Sequence, residues 1–154
     1  MGTKLLIEST LTDNTLILKF VGQIDEDADF TKVNLTCGSS IFFDFSHVTL
    51  LNSCGIREWI GFIEKIPATT QVTYQNCQQI IIEQMNMVHG FIKKGAIVES
   101  LYAPYYCAKC NQELKVLIKT SSILQGKAPV TPCPKCQGEL EFDAIESQYF
   151  NFLK

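Results

Sequence analysis

The stretch FFDFSHVTLLNSCGIREWI, residues 42–60, decides the fold. It begins with bulky apolar residues, breaks at the polar residues 52–55, and continues with apolar residues three and four positions apart. This change of spacing predicts a strand, a loop and then an amphipathic helix. A small hydroxyl residue, Ser53, stands at the break where the helix is expected to begin, so its role there needs an explanation.

The residues on both sides of the break support this prediction. The run SIFFDFS, residues 40–46, has almost no polar face, which is typical of a strand covered on both faces. Beyond the break, the apolar stripe of a helix that stops before Pro67 consists of Ile56, Trp59, Ile60, Ile63 and Ile66.

The neighbouring sequence predicts further strands and helices. Two β-rich runs, residues 4–9 and 15–22, flank the turn residues Thr12-Asp13-Asn14 and predict a hairpin. Early carboxylates favour a short helix at about residues 27–35. Further along we expect a strand at 71–76, a segment at 77–88 that fits a helix or, through its isoleucine triplet, a strand, and extended chain over 96–106. This order predicts an α/β fold, a mixed sheet with helices packed on it.

Composition limits the class of protein. The 154 residues, 46% hydrophobic and 19% charged, suffice for one ordinary core plus an appended module. The first residues, MGTKLLIEST, lack the basic and continuous apolar regions of a secretory signal, and no run of eighteen apolar residues occurs. We therefore expect a cytoplasmic protein without membrane insertion, whose seven cysteines stay reduced or bind metal.

Two cysteine pairs carry the strongest chemical signal. The segments Cys107-Ala-Lys-Cys110 and Cys133-Pro-Lys-Cys136 are separated by 22 residues. Each pair at a tight turn can direct two thiolates at one ion, and four such ligands complete a tetrahedron around Zn²⁺ with no position left for a reactive water. The spacing thus predicts a structural Zn²⁺ site. A redox dithiol and an iron–sulfur cluster are the alternatives.

The segment between the outer cysteines is locally basic. Residues 107–136 contain five lysines and one glutamate, a balance of +4 that zinc bound by four thiolates lowers to about +2. This is a weak electrostatic footprint for nucleic acid, which we keep as a second partner class. The basic residues concerned are Lys109, Lys115, Lys119, Lys127 and Lys135.

Two segments resemble the STAS domain of bacterial anti-sigma factor antagonists. They are GQIDEDADF, residues 22–30, and IFFDFSHVTLLNSCGIREWI, residues 41–60. The family's loop typically reads Asp-Ser-Ser-Gly, and here it reads Asn52, Ser53, Cys54 and Gly55. The resemblance covers roughly residues 1–101. The cysteine pairs resemble a zinc ribbon, which with the C-terminal tail would occupy residues 102–154.

The resemblance implies a regulatory role without enzymatic activity. In the anti-sigma factor antagonists the serine at the position of Ser53 is phosphorylated by a partner kinase, and this modification decides which protein is bound. The implied partner is thus an anti-sigma factor or a kinase-like regulator. The implied partner-binding loop consists of Asp25, Asn52, Ser53, Cys54 and Gly55.

Three of these loop residues also have a purely structural interpretation. Ser53 can be no more than the N-cap of the helix, where its hydroxyl would accept a backbone N–H. Cys54 is either a reactive thiol at a helix N-terminus or an inert one, and Asp25 is either a contact residue or a turn carboxylate. We find no paired nucleophile and base in the sequence that would predict an enzyme.

Overall fold

A computed structural model describes residues 3–35 and 38–154. Cys37, one of the seven cysteines, lies outside these residues. The elements in chain order are β1 (Leu6–Thr12), β2 (Thr15–Ile24), β3 (Ser40–Leu51), α1 (Ser53–Glu64), β4 (Gln71–Gln75), α2 (Gln79–Met87), β5 (Ile97–Val98), β6 (Ser100–Cys107), β7 (Gln112–Lys119), β8 (Glu141–Phe142) and α3 (Glu146–Tyr149). The predicted α/β class is confirmed. Among the described residues, none of the helices combines the length and the hydropathy that crossing a bilayer requires.

The larger sheet has five strands in the order β1-β2-β3-β4-β5. β1 runs antiparallel to β2, and the other neighbouring pairs are parallel. The predicted hairpin is confirmed, with its turn at Asp13 and Asn14, whose φ angles are 47° and 68°. The parallel pairs need crossover connections, which α1 supplies between β3 and β4 and α2 between β4 and β5.

The core lies on one face of this sheet. Along β3 the side chains of Ile41, Phe43 and Phe45 are completely buried, whereas the alternate positions are only half-buried. α1 packs on the buried face, where the ring of Trp59 lies 4.8 Å from that of Phe43. The expectation that β3 is covered on both faces is therefore wrong. The side chains of its second face, including Phe42, remain partly exposed to solvent.

A single carbonyl ties the segment after α2 to this core. The Trp59 Nε1–H and the Tyr74 hydroxyl both donate to the Phe91 carbonyl oxygen, at 3.1 and 2.9 Å. The Tyr74 oxygen in turn accepts the Lys93 N–H at 3.0 Å. Burial raises the pKa of Tyr74 above its ordinary value. The two buried donors, which would cost free energy if left without a partner, thus share one acceptor.

The predicted helix at residues 27–35 is wrong, and the segment consists of turns and irregular chain. The Asp25 carboxylate accepts the Asp27 N–H at 3.0 Å, and the Asp29 carboxylate accepts the Thr31 N–H at 2.9 Å. Such local bonds from aspartate compete with helical hydrogen bonds. The segment still contributes to the core through Phe30, which is buried beside Trp59.

A smaller antiparallel sheet, in the order β7-β6-β8, carries the cysteines. This sheet consists of the hairpin of β6 and β7 and the two-residue strand β8. The expected boundary at residue 101 falls inside β6, where Leu101 is fully buried and forms a bridge with Cys77. Buried side chains from both sheets pack into one hydrophobic cluster.

Candidate metal centre and helix-start surface

The four predicted ligand cysteines converge at the end of the small sheet. All four Sγ atoms lie within 4.8 Å of one another, with 3.5 Å between Cys107 and Cys136 and 3.9 Å between Cys110 and Cys133. A tetrahedral centre with metal–sulfur bonds of 2.3 Å would place its sulfurs about 3.8 Å apart. A disulfide would need about 2.05 Å, and all four cysteines are free. The cluster therefore has the dimensions of a site that can hold a metal ion.

Two matching backbone turns form the centre. The residue after each cysteine pair, Asn111 and Gln137, has a positive φ, of 54° and 65°. In the first turn the Cys110 N–H points to the Cys107 sulfur at 3.4 Å, and in the second the Cys133 carbonyl accepts the Gln137 N–H at 2.9 Å. Our sequence reasoning missed these two residues. The polar residue after each pair was the available signal, because asparagine in particular tolerates left-handed backbone.

Electrostatics within the cluster favours a thiolate at Cys133 and opposes one at Cys110. The backbone N–H groups of Cys136 and Lys135 lower the pKa of the Cys133 thiol to about 6. Hydrogen bonding with Cys136 and Cys107 raises the pKa of Cys110 to about 12. A divalent cation removes this opposition, because it binds all four thiolates and displaces their protons.

The two turns also pack directly on each other. A Cβ atom added to Gly138 would lie 3.3 Å from the Cys136 sulfur and 3.1 Å from the Cδ atom of Lys109. Across the same junction the Lys135 ammonium donates to the Gln112 side-chain oxygen at 2.7 Å. The first and second cysteine pairs are therefore held together by contacts around the sulfurs as well as by any ion between them.

The C-terminal tail fastens the small sheet to α2. The Tyr149 hydroxyl donates to the Tyr102 carbonyl in β6 at 2.8 Å, and the Tyr149 carbonyl accepts from the Asn86 amide in α2 at 2.9 Å. Glu146 adds a link to the loop before the second cysteine pair, since it accepts the Ala128 N–H at 2.6 Å. Tyr149 is thus hydrogen-bonded both to the small sheet and to α2.

The helix-start surface lies at another place, where α1 begins. Ser53 is the first residue of α1, and both Ser53 and Cys54 are exposed. The N-cap is Asn52, whose side-chain oxygen accepts the Gly55 N–H at 2.8 Å, so the interpretation of Ser53 as the cap is wrong. The Asn52 amide also donates to the Glu26 carboxylate at 2.9 Å and thereby lowers the pKa of Glu26.

The remaining loop residues hold this surface against the end of β2. The Asn52 N–H donates to the Ile24 carbonyl at 3.2 Å. A Cβ atom on Gly55 would lie 1.9 Å from the oxygen of that carbonyl, so only glycine fits at this approach. Asp25 is half-buried and makes the turn bond to Asp27. The structure therefore brings Asp25 and residues 52–55 to one end of the sheet.

Comparisons with protein-family models, with curated proteins and with solved structures gave no match to this chain. The STAS resemblance therefore depends on the quoted segments at residues 22–30 and 41–60 and on the order of elements.

Proposed function

We propose that the chain is a non-enzymatic regulatory module that exchanges protein partners, similar to the anti-sigma factor antagonists, and that Ser53 is its phosphoacceptor. The observation that supports this proposal is the position of Ser53. It is exposed on the first turn of a twelve-residue helix, and its hydroxyl is not needed as the cap because Asn52 fills that role. A modification of Ser53 can therefore change the surface without removing a structural bond.

The start of α1 suits an added phosphate. Within residues 3–35 and 38–154, the backbone N–H groups of Ser53 and Cys54 have no hydrogen-bond partner. Free amides and the positive end of the helix dipole stabilise an anion at this position. A phosphate of about −1.5 to −2 charge would thus be tolerated by the domain. Its effect would fall on the protein that contacts the surface, an anti-sigma factor or a kinase-like regulator.

The test compares proteins recovered from native cells with the wild type, Ser53→Ala and Ser53→Asp. We expect Ser53→Asp to recover a different set of partners from Ser53→Ala, and phosphopeptide mass spectrometry to find phosphate on Ser53. Ser121→Asp is a matched control, because Ser121 is exposed but lies far along the chain, after β7. Recovery of the same partners in the same amounts by all variants would exclude the switch.

We further propose that the four-cysteine cluster holds a structural Zn²⁺ ion. The four sulfurs offer soft ligands at tetrahedral spacing and leave no vacant position for chemistry. Elemental analysis of the purified chain should find one zinc per chain, lost in Cys107→Ser/Cys133→Ser and retained in Cys54→Ser. Iron with visible absorption would indicate a cluster instead, and a metal-free folded protein would favour the dithiol.

Nucleic-acid binding is the second candidate. It is supported by the exposure of all five lysines of the cysteine segment, although Lys127 already forms an ion pair with Glu146 at 3.6 Å. Binding through phosphate contacts would weaken steeply with added salt. A titration with duplex DNA and with RNA that shows no binding, or binding insensitive to salt, would remove this candidate.

A further inference from the structure

The open edges of the two sheets differ in how they are protected from pairing with another strand. β5 and β8 are only two residues long. β7 is eight residues long but carries three charges, at Glu113, Lys115 and Lys119. Short length and charge are both devices that prevent edge pairing. β1 has neither, since its seven residues, LIESTLT, contain a single charge, no proline and no glycine.

The geometry of β1 is also regular. All seven of its residues pair with β2 in an unbroken register, whereas the β2–β3 pairing has two irregularities. An edge strand presents every second backbone N–H and C=O group outward without a strand partner. Leu6 and Leu11 are 58% and 55% exposed beside this row of groups. β1 is therefore a long edge strand of regular register, with two exposed leucines, that can pair with one more strand.

We propose that the occupant of this edge is β1 of a second copy of the chain, which pairs antiparallel and joins two five-stranded sheets into one of ten strands. A twofold axis perpendicular to the sheet places residues of equal parity opposite each other, so the pairing is centred on one residue. Centring it on Glu8 would set two like charges face to face, which is unfavourable. Centring it on Thr10 would leave Ile7 opposite the hairpin turn.

Centring the pairing on Ser9 satisfies both the charges and the apolar side chains. Ile7 then faces Leu11 of the second copy on the face that already carries Phe20 and Leu16 in register. Glu8 faces Thr10 of the second copy and keeps Lys19 as its neighbour on β2. The core face thus continues across the junction, and no charge meets a like charge. This proposal is independent of Ser53 and of the metal centre.

The test measures the oligomeric state of the full, metal-loaded chain by light scattering and sedimentation equilibrium. We expect a wild-type dimer. Thr10→Glu sets two Glu–Glu pairs across the axis and should weaken the dimer roughly tenfold, whereas Thr10→Lys faces Glu8 and should preserve or tighten it. Leu11→Lys should give a monomer, and Leu117→Lys, at a 49% exposed leucine on the charged edge β7, should leave the dimer unchanged.

Hydrogen exchange gives a second readout that does not depend on the variants. In the dimer the outward amides of β1 become protected, and their protection should rise with protein concentration. Near-UV circular dichroism identifies any variant that has failed to fold. The proposal is overturned if the wild type stays monomeric up to about 100 μM, because the dissociation constant of a stable dimer lies far below that concentration. Equal affinities of folded Thr10→Glu and Thr10→Lys also overturn it.

Discussion

At the scale of single residues, each residue of the loop at the start of α1 has a different structural role. Asn52 caps the helix, Gly55 permits its close approach to β2, and the exposed Ser53 hydroxyl has no hydrogen-bond partner among the residues that the structure describes. The sequence indicated this loop, but it did not distinguish the cap from its neighbour, because serine and asparagine are equally good cap residues. The difference depends on which side chain points back at the first turn.

Gly55 should be the least replaceable residue of this loop. Gly55→Ala would force the start of α1 away from the Ile24 carbonyl, and we expect a loss of about 2–4 kcal/mol in the free energy of unfolding. Gly61 in the same helix is the matched control, since a Cβ atom there meets nothing within 4 Å. Gly61→Ala should stabilise the protein by about 0.5–1 kcal/mol. Urea unfolding measures the free energy of unfolding of both variants. Equal changes in the two would contradict the close approach of Gly55 to the Ile24 carbonyl.

Glu26 provides a test of the Asn52 side-chain geometry by its pH dependence. The Asn52 hydrogen bond lowers the pKa of Glu26 in the folded state. A carboxyl with a lowered folded pKa stabilises the protein above its unfolded pKa, and this contribution is lost as the pH falls through the folded value. NMR titration should therefore find the Glu26 pKa below 4.5 in the wild type. In Asn52→Ala it should rise towards its ordinary value, and an unchanged pKa would refute the bond.

At the scale of elements, periodicity predicted most of the structure. The hairpin of β1 and β2 and the strand–loop–helix of β3 and α1 both follow from local spacing and turn residues. The helix expected at residues 27–35 failed because aspartates there bond to nearby amides. The isoleucine triplet of α2 was ambiguous because burial on a helix and on a strand needs the same residues.

Metal removal should act on the elements of the small sheet first. That sheet has one long hairpin and a two-residue third strand, so metal binding would supply much of its folding free energy. After chelation we expect amides of β6, β7 and β8 to exchange faster while those of β2 and β3 stay protected. Mass spectrometry of peptides after hydrogen exchange measures this. Uniform protection in the chelated protein would mean that packing alone holds the sheet.

At the scale of the whole molecule, side-chain contacts between segments far apart in the sequence could not be predicted. The bond from Asn86 to the Tyr149 carbonyl joins residues 63 positions apart, and nothing in either segment specifies the other. The same holds for the Phe91 carbonyl, which accepts from Trp59 and Tyr74. Convergence of the cysteines could be predicted because their chemistry requires it, whereas side-chain packing depends on the complete fold.

Tyr149 should couple the stability of the two sheets. Burial raises the pKa of its hydroxyl, and the bond to the Tyr102 carbonyl satisfies that hydroxyl. Tyr149→Phe keeps the ring and should cost about 1–2 kcal/mol, while Tyr149→Ala also leaves a cavity and should cost about 3–5 kcal/mol. Thermal unfolding measures both. If Tyr149→Ala is no worse than Tyr149→Phe, the tail does not dock as described.

The burial of Trp59 gives the molecule its own optical reporter. It is the sole tryptophan of the chain, and its indole N–H is fixed to the Phe91 carbonyl inside the large sheet's core. Fluorescence excited at the long-wavelength edge of protein absorption therefore comes from Trp59 in that core and does not report on the small sheet. Cobalt bound by the four cysteines would give the small sheet a visible absorption of its own. Tryptophan emission and cobalt absorption, followed in the same sample, would then show whether the two sheets unfold together or one after the other.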